Sequence, residues 1–174
     1  FVIEFRERPR FLQGLTGDSA SLQRAAREVR AVGATALYDS IILGLYQFRT
    51  LQGRKALVVV TDGADNRSHV EYPTLLRYAR SAGAPIYFIA VGIPITDIKS
   101  RRHIGEIARE SGGEVFYLGN ASEISEMTRR IEEELRRARC GVHEAASEQG
   151  MLSALQLVVL IFTEQAEHRA ADCL

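Results

Sequence analysis

The sequence is short of several features that mark whole classes of protein. Lys plus Arg and Asp plus Glu both number 22 in 174 residues, so the formal net charge is zero. Nucleic-acid binders carry a basic surplus, and we therefore predict that no nucleic acid is bound. The only two cysteines, Cys140 and Cys173, lack zinc-like spacing, and sequence alone does not decide whether they form a disulfide.

Long apolar runs and targeting signals are also missing. The most apolar stretch, Met151 to Phe162, is too short to span a bilayer, so we predict no transmembrane segment in this chain. The chain opens at Phe1 with Phe-Val-Ile-Glu-Phe, which is typical of a strand and not of a signal peptide. This beginning indicates a piece of a longer protein, whose compartment the sequence leaves open.

The motifs of common enzyme classes do not occur. There is no Gly-x-Ser-x-Gly and no phosphate-binding loop. Lys55 and Lys99 are the only lysines, and neither directly follows a predicted strand. The histidines are scattered, with no Cys or Asp at the spacing of metal ligands: His69, His103, His143 and His168. We therefore predict that the chain is not an enzyme.

The chain does contain a regular alternation of strand and helix patterns. Continuous apolar runs, such as Ala56 to Val60 and Pro85 to Val91, are typical of strands covered on both faces of a parallel sheet. The alternation predicts an α/β fold with a Rossmann-like, doubly wound, mostly parallel sheet and helices on both faces. The other predicted strands are Val2 to Phe5, an edge strand within Pro9 to Leu15, and Glu114 to Leu118; the predicted helices run from Asp18 to Gly33, Ala36 to Leu51, Val70 to Ala82, Ile98 to Ser111 and Ser122 to Arg137.

This pattern covers residues 1–138, which we interpret as one α/β domain, and it stops in the tail of residues 139–174. Within the tail, Leu155 to Phe162 is strongly apolar. Periodicity alone does not decide between a strand and a buried helix there.

Two oxygen-bearing side chains stand where predicted strands and helices meet. Asp62 directly follows a buried strand, and Thr35 precedes a helix. Ligands of open parallel sheets bind beyond the carboxyl ends of the strands, and hydroxyl and carboxylate oxygens suit Mg²⁺ or a similar cation. Thr35 as a helix N-cap and Asp62-Gly63 as a turn are simpler interpretations of each residue alone. Their combination favours a metal site.

Two further carboxylates are candidates for supporting that metal from outside its coordination shell. Asp39 lies in the first turn of a predicted helix, where it favours the helix dipole or could hold a metal-bound water. Asp65 is the second candidate. Its simpler interpretation, shared with Asn66 and Ser68, is a cap for the helix that begins near Val70.

Four segments together resemble a von Willebrand factor type A domain of the bacterial branch: Gly33 to Asp39, Ala56 to Asn66, Ile86 to Gly92 and Ile107 to Gly113. The resemblance implies a metal-ion-dependent adhesion site, in which Thr35 and Asp62 match two metal-binding positions of the family. A carboxylate on a protein partner would complete the cation's shell, which is binding and not catalysis. The resemblance only leans towards an extracytoplasmic parent protein (secreted, periplasmic or membrane-anchored), and the location stays unknown.

The sequence departs from this family at one motif. The family's principal metal-binding loop, Asp-x-Ser-x-Ser, occurs nowhere in the chain. That loop follows the family's first, central strand, and Phe1 begins where its second strand would stand. One hydroxyl and one carboxylate are expected to hold Mg²⁺ weakly, so the site is expected to be impaired in this fragment.

A missing central strand predicts a slot in the sheet. Unpaired ladder groups in a buried slot are costly, so we hypothesise that Leu155 to Phe162 folds back to fill it as a strand. The competing interpretation is that the tail is an unrelated segment or the product of a shifted reading frame.

Three functions remain open from sequence. The first is a metal-dependent protein-binding module. The second is a Mg²⁺-dependent hydrolase on a doubly wound fold, with Asp62 as nucleophile or metal ligand. The third is a structural domain with no occupied site.

Overall fold

A computed structural model describes residues 1–29, 34–51, 53, 55–118, 133 and 156–161 of the chain. These residues form an α/β fold, as the sequence predicts. The strands are β1 (Val2–Phe5), β2 (Pro9–Gln13), β3 (Lys55–Thr61), β4 (Ile86–Val91), β5 (Val115–Leu118) and β6 (Gln156–Ile161), and the helices are α1 (Ser19–Arg27), α2 (Leu37–Gln47), α3 (Tyr72–Ser81) and α4 (Ile98–Ser111).

The six strands form one sheet in the order β2-β1-β6-β3-β4-β5. β2 pairs antiparallel with β1 at one edge, and the remaining neighbours all pair in parallel. Pro9 opens β2, and proline is tolerated at the first residue of an edge strand. The predicted edge strand is thus confirmed.

The last strand in sequence lies in the middle of the sheet. Val159 of β6 is paired with Val2 of β1 on one side and with Val58 of β3 on the other. This position confirms the hypothesis that the apolar tail segment fills a slot as a strand, and a buried helix there is ruled out. β6 supplies hydrogen-bond partners that β1 and β3 would otherwise lack, because those two strands do not pair with each other.

Helices pack on both faces of the sheet. On one face, α2, α3 and α4 bury apolar side chains such as Ile41, Leu75 and Ile104. On the other face, α1 places Ala25 and Ala26 in a cluster with alternate residues of β3 and β4. Every residue of β4 is buried, which explains its continuous apolar run.

Local end signals account for several boundaries. Asp18 caps α1 by accepting hydrogen bonds from the amides of Ala20 and Ser21, as predicted. α4 has the predicted bounds, and Gly112 ends it with φ of +85°, in the left-handed region that favours glycine. The prediction for the end of α1 was wrong, since the helix stops at Arg27 and Gly33 lies outside the described residues.

Two other boundaries differ slightly from the pattern. α3 begins at Tyr72, after the predicted Val70, because Pro73 suits the first turn of a helix. A 3₁₀ turn, Phe48–Thr50, continues α2. Other predictions fall outside the described residues: the helix from Ser122 to Arg137, apart from the helical Glu133, and the states of Cys140, Cys173, His143 and His168.

Candidate functional site at the carboxyl edge of the sheet

The parallel strands end at a common edge, called the carboxyl edge below. β1 is followed there by Arg6 and β3 by Asp62. The loop that leads into α2 packs against the same edge, because the Ala36 amide donates a hydrogen bond to the Arg6 carbonyl at 2.7 Å. Thr35 and Asp62, predicted from sequence as a pair of ligands, therefore lie on loops that meet at this edge.

The loop before α2 and the loop after β3 are joined by several hydrogen bonds. The Asn66 and Arg67 amides donate to the Thr35 carbonyl at 3.0 and 3.1 Å. In return, the Thr35 amide donates to Asn66 Oδ1 at 2.8 Å. These bonds fix the backbone of Thr35 relative to the loop that carries Asp62.

Thr35 does not serve as a helix cap. Ala36 occupies the N-cap position of α2, so the simpler interpretation of Thr35 was wrong. Only 2% of the Thr35 surface is exposed, and its backbone amide is held by Asn66 Oδ1. Among the described residues, the buried side-chain atom left without a hydrogen-bond partner is Arg6 Nε and not the Thr35 hydroxyl. A threonine hydroxyl oxygen has two lone pairs, so it can serve as a ligand to a cation.

Asp62 is half-buried directly after β3 and takes part in a tight turn. One of its oxygens, Oδ1, accepts a hydrogen bond from the Ala64 amide at 3.1 Å, and the Gly63 amide donates to Thr61 Oγ1 at 3.0 Å. The turn interpretation is therefore confirmed. A carboxylate has several lone pairs, so the turn bond does not by itself prevent a second role.

Gly63 allows the loops after β3 and β4 to approach closely. Its φ is +81°, and a Cβ atom would lie 2.7 Å from Ile93 Cδ1 and 3.1 Å from Ser100 Cβ. Any other residue would be strained and crowded. The loop after β4 and the start of α4 thus form one wall beside Asp62.

Asp65 caps α2 from a distance in sequence. Its Oδ1 accepts hydrogen bonds from the Leu37 amide at 2.9 Å and the Ser68 hydroxyl at 2.6 Å. The prediction that it caps the helix beginning near Val70 was wrong, because the N-cap position of α3 is Glu71, which makes no side-chain cap bond.

Asp39 holds the other end of the same loop. Its carboxylate accepts hydrogen bonds from the His69 amide at 3.0 Å and the Val70 amide at 2.9 Å, and lies 3.1 Å from His69 Nδ1. Burial raises the pKa of Asp39, but these hydrogen bonds outweigh it and hold the pKa below its usual value. Sequence reasoning missed the contact with His69, thirty positions away.

The two carboxylates expected to support a metal thus both fasten residues 65–70 to the first turn of α2. Asp65 binds the amide that opens the helix, and Asp39 binds backbone amides where the loop ends. Asp65 lies on the same loop as Asp62, and Asp39 lies in the first turn of the helix that follows the loop of Thr35. They therefore position the candidate site, whether or not they also reach a metal-bound water.

The donor set fits only a cation that keeps much of its water. Among the described residues, no three Asp, Glu, His or Cys side chains converge on a point that could hold a metal. Thr35 and Asp62 offer one hydroxyl and one carboxylate, both hard oxygen donors. Mg²⁺ accepts such a set, since it is often held by one or two protein ligands and several waters.

A cluster of aromatic and titratable side chains lies beside this site, and sequence reasoning missed it. Tyr38 Oη lies 2.7 Å from His103 Nδ1, and the His103 ring stacks on Tyr72 with centroids 3.9 Å apart. Tyr72 donates to Glu106. The spacing of His103 and Glu106 places them on one face of α4. Their partners on α2 and α3 are more than thirty positions away in the sequence, so no local pattern indicates these contacts.

Burial governs the titration of this cluster. It raises the pKa of Tyr38 to about 12, with a contribution from the nearby charge of Asp65. It lowers the pKa of His103, and the positive charges of Arg102 and Lys99 lower it further. His103 is therefore neutral at pH 7, which leaves one ring nitrogen to accept a hydrogen bond from the Tyr38 hydroxyl.

Comparison with known proteins does not assign the chain to a family. No protein-family model matches the chain, and no curated protein is similar to it. One solved structure that the chain resembles is an uncharacterized membrane spanning protein from Vibrio fischeri, at 21% identity and a TM-score of 0.41 over 76% of this chain and 73% of that one. A similarity this low does not indicate the fold or the function of this chain. None of the helices in the part of the chain that the structure describes is long and apolar enough to cross a membrane.

Proposed function

We propose that the chain is a Rossmann-like domain of the von Willebrand factor type A kind, which binds a divalent cation at the carboxyl edge and, through it, a carboxylate on a protein partner. One observation carries the proposal. Thr35, only 2% exposed, is fixed by hydrogen bonds of its backbone to the loop that carries Asp62, so the two oxygen-bearing residues lie on joined loops at the same edge of the sheet.

The sheet supports this proposal through its topology. In open α/β sheets, ligands bind beyond the carboxyl ends of the strands. Asp62 and the loop of Thr35 occupy that position, and β6 lies directly beside β3 in the centre of the sheet. The Rossmann-like description rests on this parallel arrangement with helices on both faces.

The chain's own residues divide into ligands and supports. Asp62 and Thr35 would hold Mg²⁺, and the bound cation supplies a positive charge that attracts a partner's carboxylate. Asn66 and Asp65 hold the two loops in place through backbone amides. Because only two protein ligands are involved, we expect weak binding of the metal alone.

Calorimetric titration with Mg²⁺ and Mn²⁺ tests the proposal directly. We expect binding of roughly millimolar affinity that is lost in Asp62→Ala. Glu71→Ala is the matched control, since it removes another carboxylate near the same edge that makes no cap bond. Absence of binding by the unmodified chain would favour a structural domain with no occupied site, and equal binding by Asp62→Ala would assign the metal elsewhere.

A hydrolase at the same edge is the second candidate, because Lys99 lies there. It is the second residue of α4 and is exposed, whereas Lys55 donates to the Phe48 carbonyl at the opposite edge. A hydrolase would need such a lysine or a second carboxylate beside Asp62. Turnover of a generic phosphate ester that disappears in Asp62→Ala would favour this candidate over simple binding.

A further inference from the structure

Two isoleucines project into solvent from one short segment at the carboxyl edge. Ile95 is 85% exposed and Ile98 is 74% exposed, and they are the two most exposed large apolar side chains in the described residues. Single exposed apolar residues are common, but a pair so close in sequence forms a patch that calls for an explanation.

The segment that carries the two isoleucines is held by hydrogen bonds. The Asp97 amide donates to the Pro94 carbonyl at 3.0 Å, and the Ile98 amide donates to the Thr96 carbonyl at 2.9 Å. The Asp97 side chain accepts from the Ser100 amide at 3.1 Å and so caps α4. The isoleucines are therefore presented by a fixed backbone.

Basic side chains adjoin the isoleucines. Lys99 and Arg102 are exposed, and Arg102 follows Ile98 by one helical turn, so the two share a side of α4. The nearby Arg101 guanidinium lies 3.6 Å from the centre of the Tyr117 ring. Between residues 93 and 103, three Lys or Arg residues stand against one carboxylate, which is already used as a cap.

We propose that this tip, formed by Ile95, Ile98, Lys99, Arg102 and Tyr117, docks on the surface of a membrane that contains anionic phospholipid. The isoleucines enter the boundary between headgroups and acyl chains, while the cations remain at the level of the lipid phosphates. Tyr117, 38% exposed, has the amphipathic character that places tyrosines at this level.

The shape and charge of the tip favour a lipid surface over a protein partner. Protein-binding hot spots typically lie in well-packed pockets near the centre of an interface and are surrounded by other contacts that exclude water. Ile95 and Ile98 instead project as separate aliphatic groups beside exposed cations. Because only two apolar side chains enter, the binding is reversible, requires anionic lipid and weakens as salt screens the charges.

Sedimentation with vesicles tests the proposal on the full chain. The vesicles are phosphatidylcholine alone or phosphatidylcholine with about 30% phosphatidylglycerol, in EDTA so that no divalent cation at Asp62 contributes. We expect binding to the anionic vesicles only. The double variant Ile95→Ser/Ile98→Ser is expected to bind at least about fivefold more weakly.

Two controls match the variants in chemistry. Leu15→Ser/Tyr46→Ser removes two half-exposed apolar side chains from the opposite edge of the sheet and should bind as the unmodified chain does. Lys99→Glu/Arg102→Glu should abolish binding, while Arg27→Glu/Arg77→Glu changes the net charge equally at exposed helical positions and should retain most of it.

Three results would overturn the proposal. The first is that the unmodified chain does not bind the anionic vesicles. The second is that the isoleucine variant, shown to be folded by circular dichroism, binds them equally well. The third is that the tip joins two copies of the chain, so that light scattering detects self-association that the isoleucine variant loses, without any vesicle binding.

Discussion

Thr35 and Asn66 are hydrogen-bonded to each other in both directions. The Asn66 amide donates to the Thr35 carbonyl at 3.0 Å, and the Thr35 amide donates to Asn66 Oδ1 at 2.8 Å. The loop before α2 and the loop after β3 are therefore held together as one unit. A ligand that binds Asp62 on one loop is presented with Thr35 on the other at no further cost in loop ordering.

Removal of the Asn66 side chain should separate these loops. Asn66→Ala leaves the Thr35 amide, on a residue only 2% exposed, without its acceptor, so we expect the free energy of unfolding to fall by about 1–2 kcal/mol. Affinity for Mg²⁺ should fall as well. Urea unfolding and calorimetry measure the two effects. Asn66→Asp retains the oxygen acceptor and should lose less stability; an alanine variant as stable as the unmodified chain would contradict the role given to this bond.

The long-range cap of α2 makes a separate prediction. Asp65→Ala removes the acceptor for the Leu37 amide and the Ser68 hydroxyl, and we expect a loss of about 1–2 kcal/mol in the free energy of unfolding. Glu71→Ala at the uncapped start of α3 should change stability by less than about 0.5 kcal/mol. Equal effects of the two substitutions in denaturant unfolding would show that Asp65 does not act as a cap.

The buried surroundings of His103 predict a loss of stability on mild acidification. Burial and the positive charges of Arg102 and Lys99 lower the pKa of His103 in the folded state below the value of about 6.5 expected when unfolded. The unfolded chain therefore binds a proton first as the pH falls. Stability is lost from about pH 6.5 downward until the folded histidine is also protonated.

Denaturant unfolding of the unmodified chain and His103→Gln, from pH 8 to about pH 5, measures this effect. Over that range, we expect the free energy of unfolding to fall more for the unmodified chain than for the variant. The other histidines are present in both proteins, so the difference between the two reports His103 alone. A proton NMR titration of His103 supplies the midpoint directly. A midpoint above about 6.5, or a difference in stability that does not depend on pH, would contradict the prediction.

The central position of β6 predicts a high sensitivity to proline. Val159→Pro removes ladder hydrogen bonds from a strand with a neighbour on each side, so we expect a loss of about 3 kcal/mol or more. Ser19→Pro is the matched control because it places proline in the first turn of α1, where proline is tolerated. Similar thermal unfolding of both variants would show that β6 is not central in solution.

Local signals in the sequence predicted most of the fold. The continuous apolar run of β3 indicates a strand buried on both faces, and Asp18 and Gly112 mark helix ends through bonds or torsion angles within a few residues. β6 was predicted from a global argument, because a sheet with an open central slot leaves ladder groups unpaired. The end of α1 was mispredicted because a nearby glycine is only one of several ways in which a helix stops.

For the candidate site, the sequence indicated the two proposed ligands but not the contacts that hold them. Asp62 stands out because a carboxylate follows a buried strand, and Thr35 because it precedes a helix. The supports were not predictable, since Asp65 reaches the Leu37 amide, and His103 reaches Tyr38, across 28 and 65 positions. Such contacts depend on how helices and loops pack together, and a single sequence carries no local signal for them.

The sheet order also sets when the described strands can join into one sheet during synthesis. β1 and β2 emerge first and pair with each other, and β3, β4 and β5 follow as a second parallel group. Among the described strands, no backbone ladder joins the two groups until residues 156–161 leave the ribosome and enter between them. Until then each group presents an unpaired strand edge to other chains, so chaperone dependence and aggregation of truncated products should be greatest for chains that end before β6.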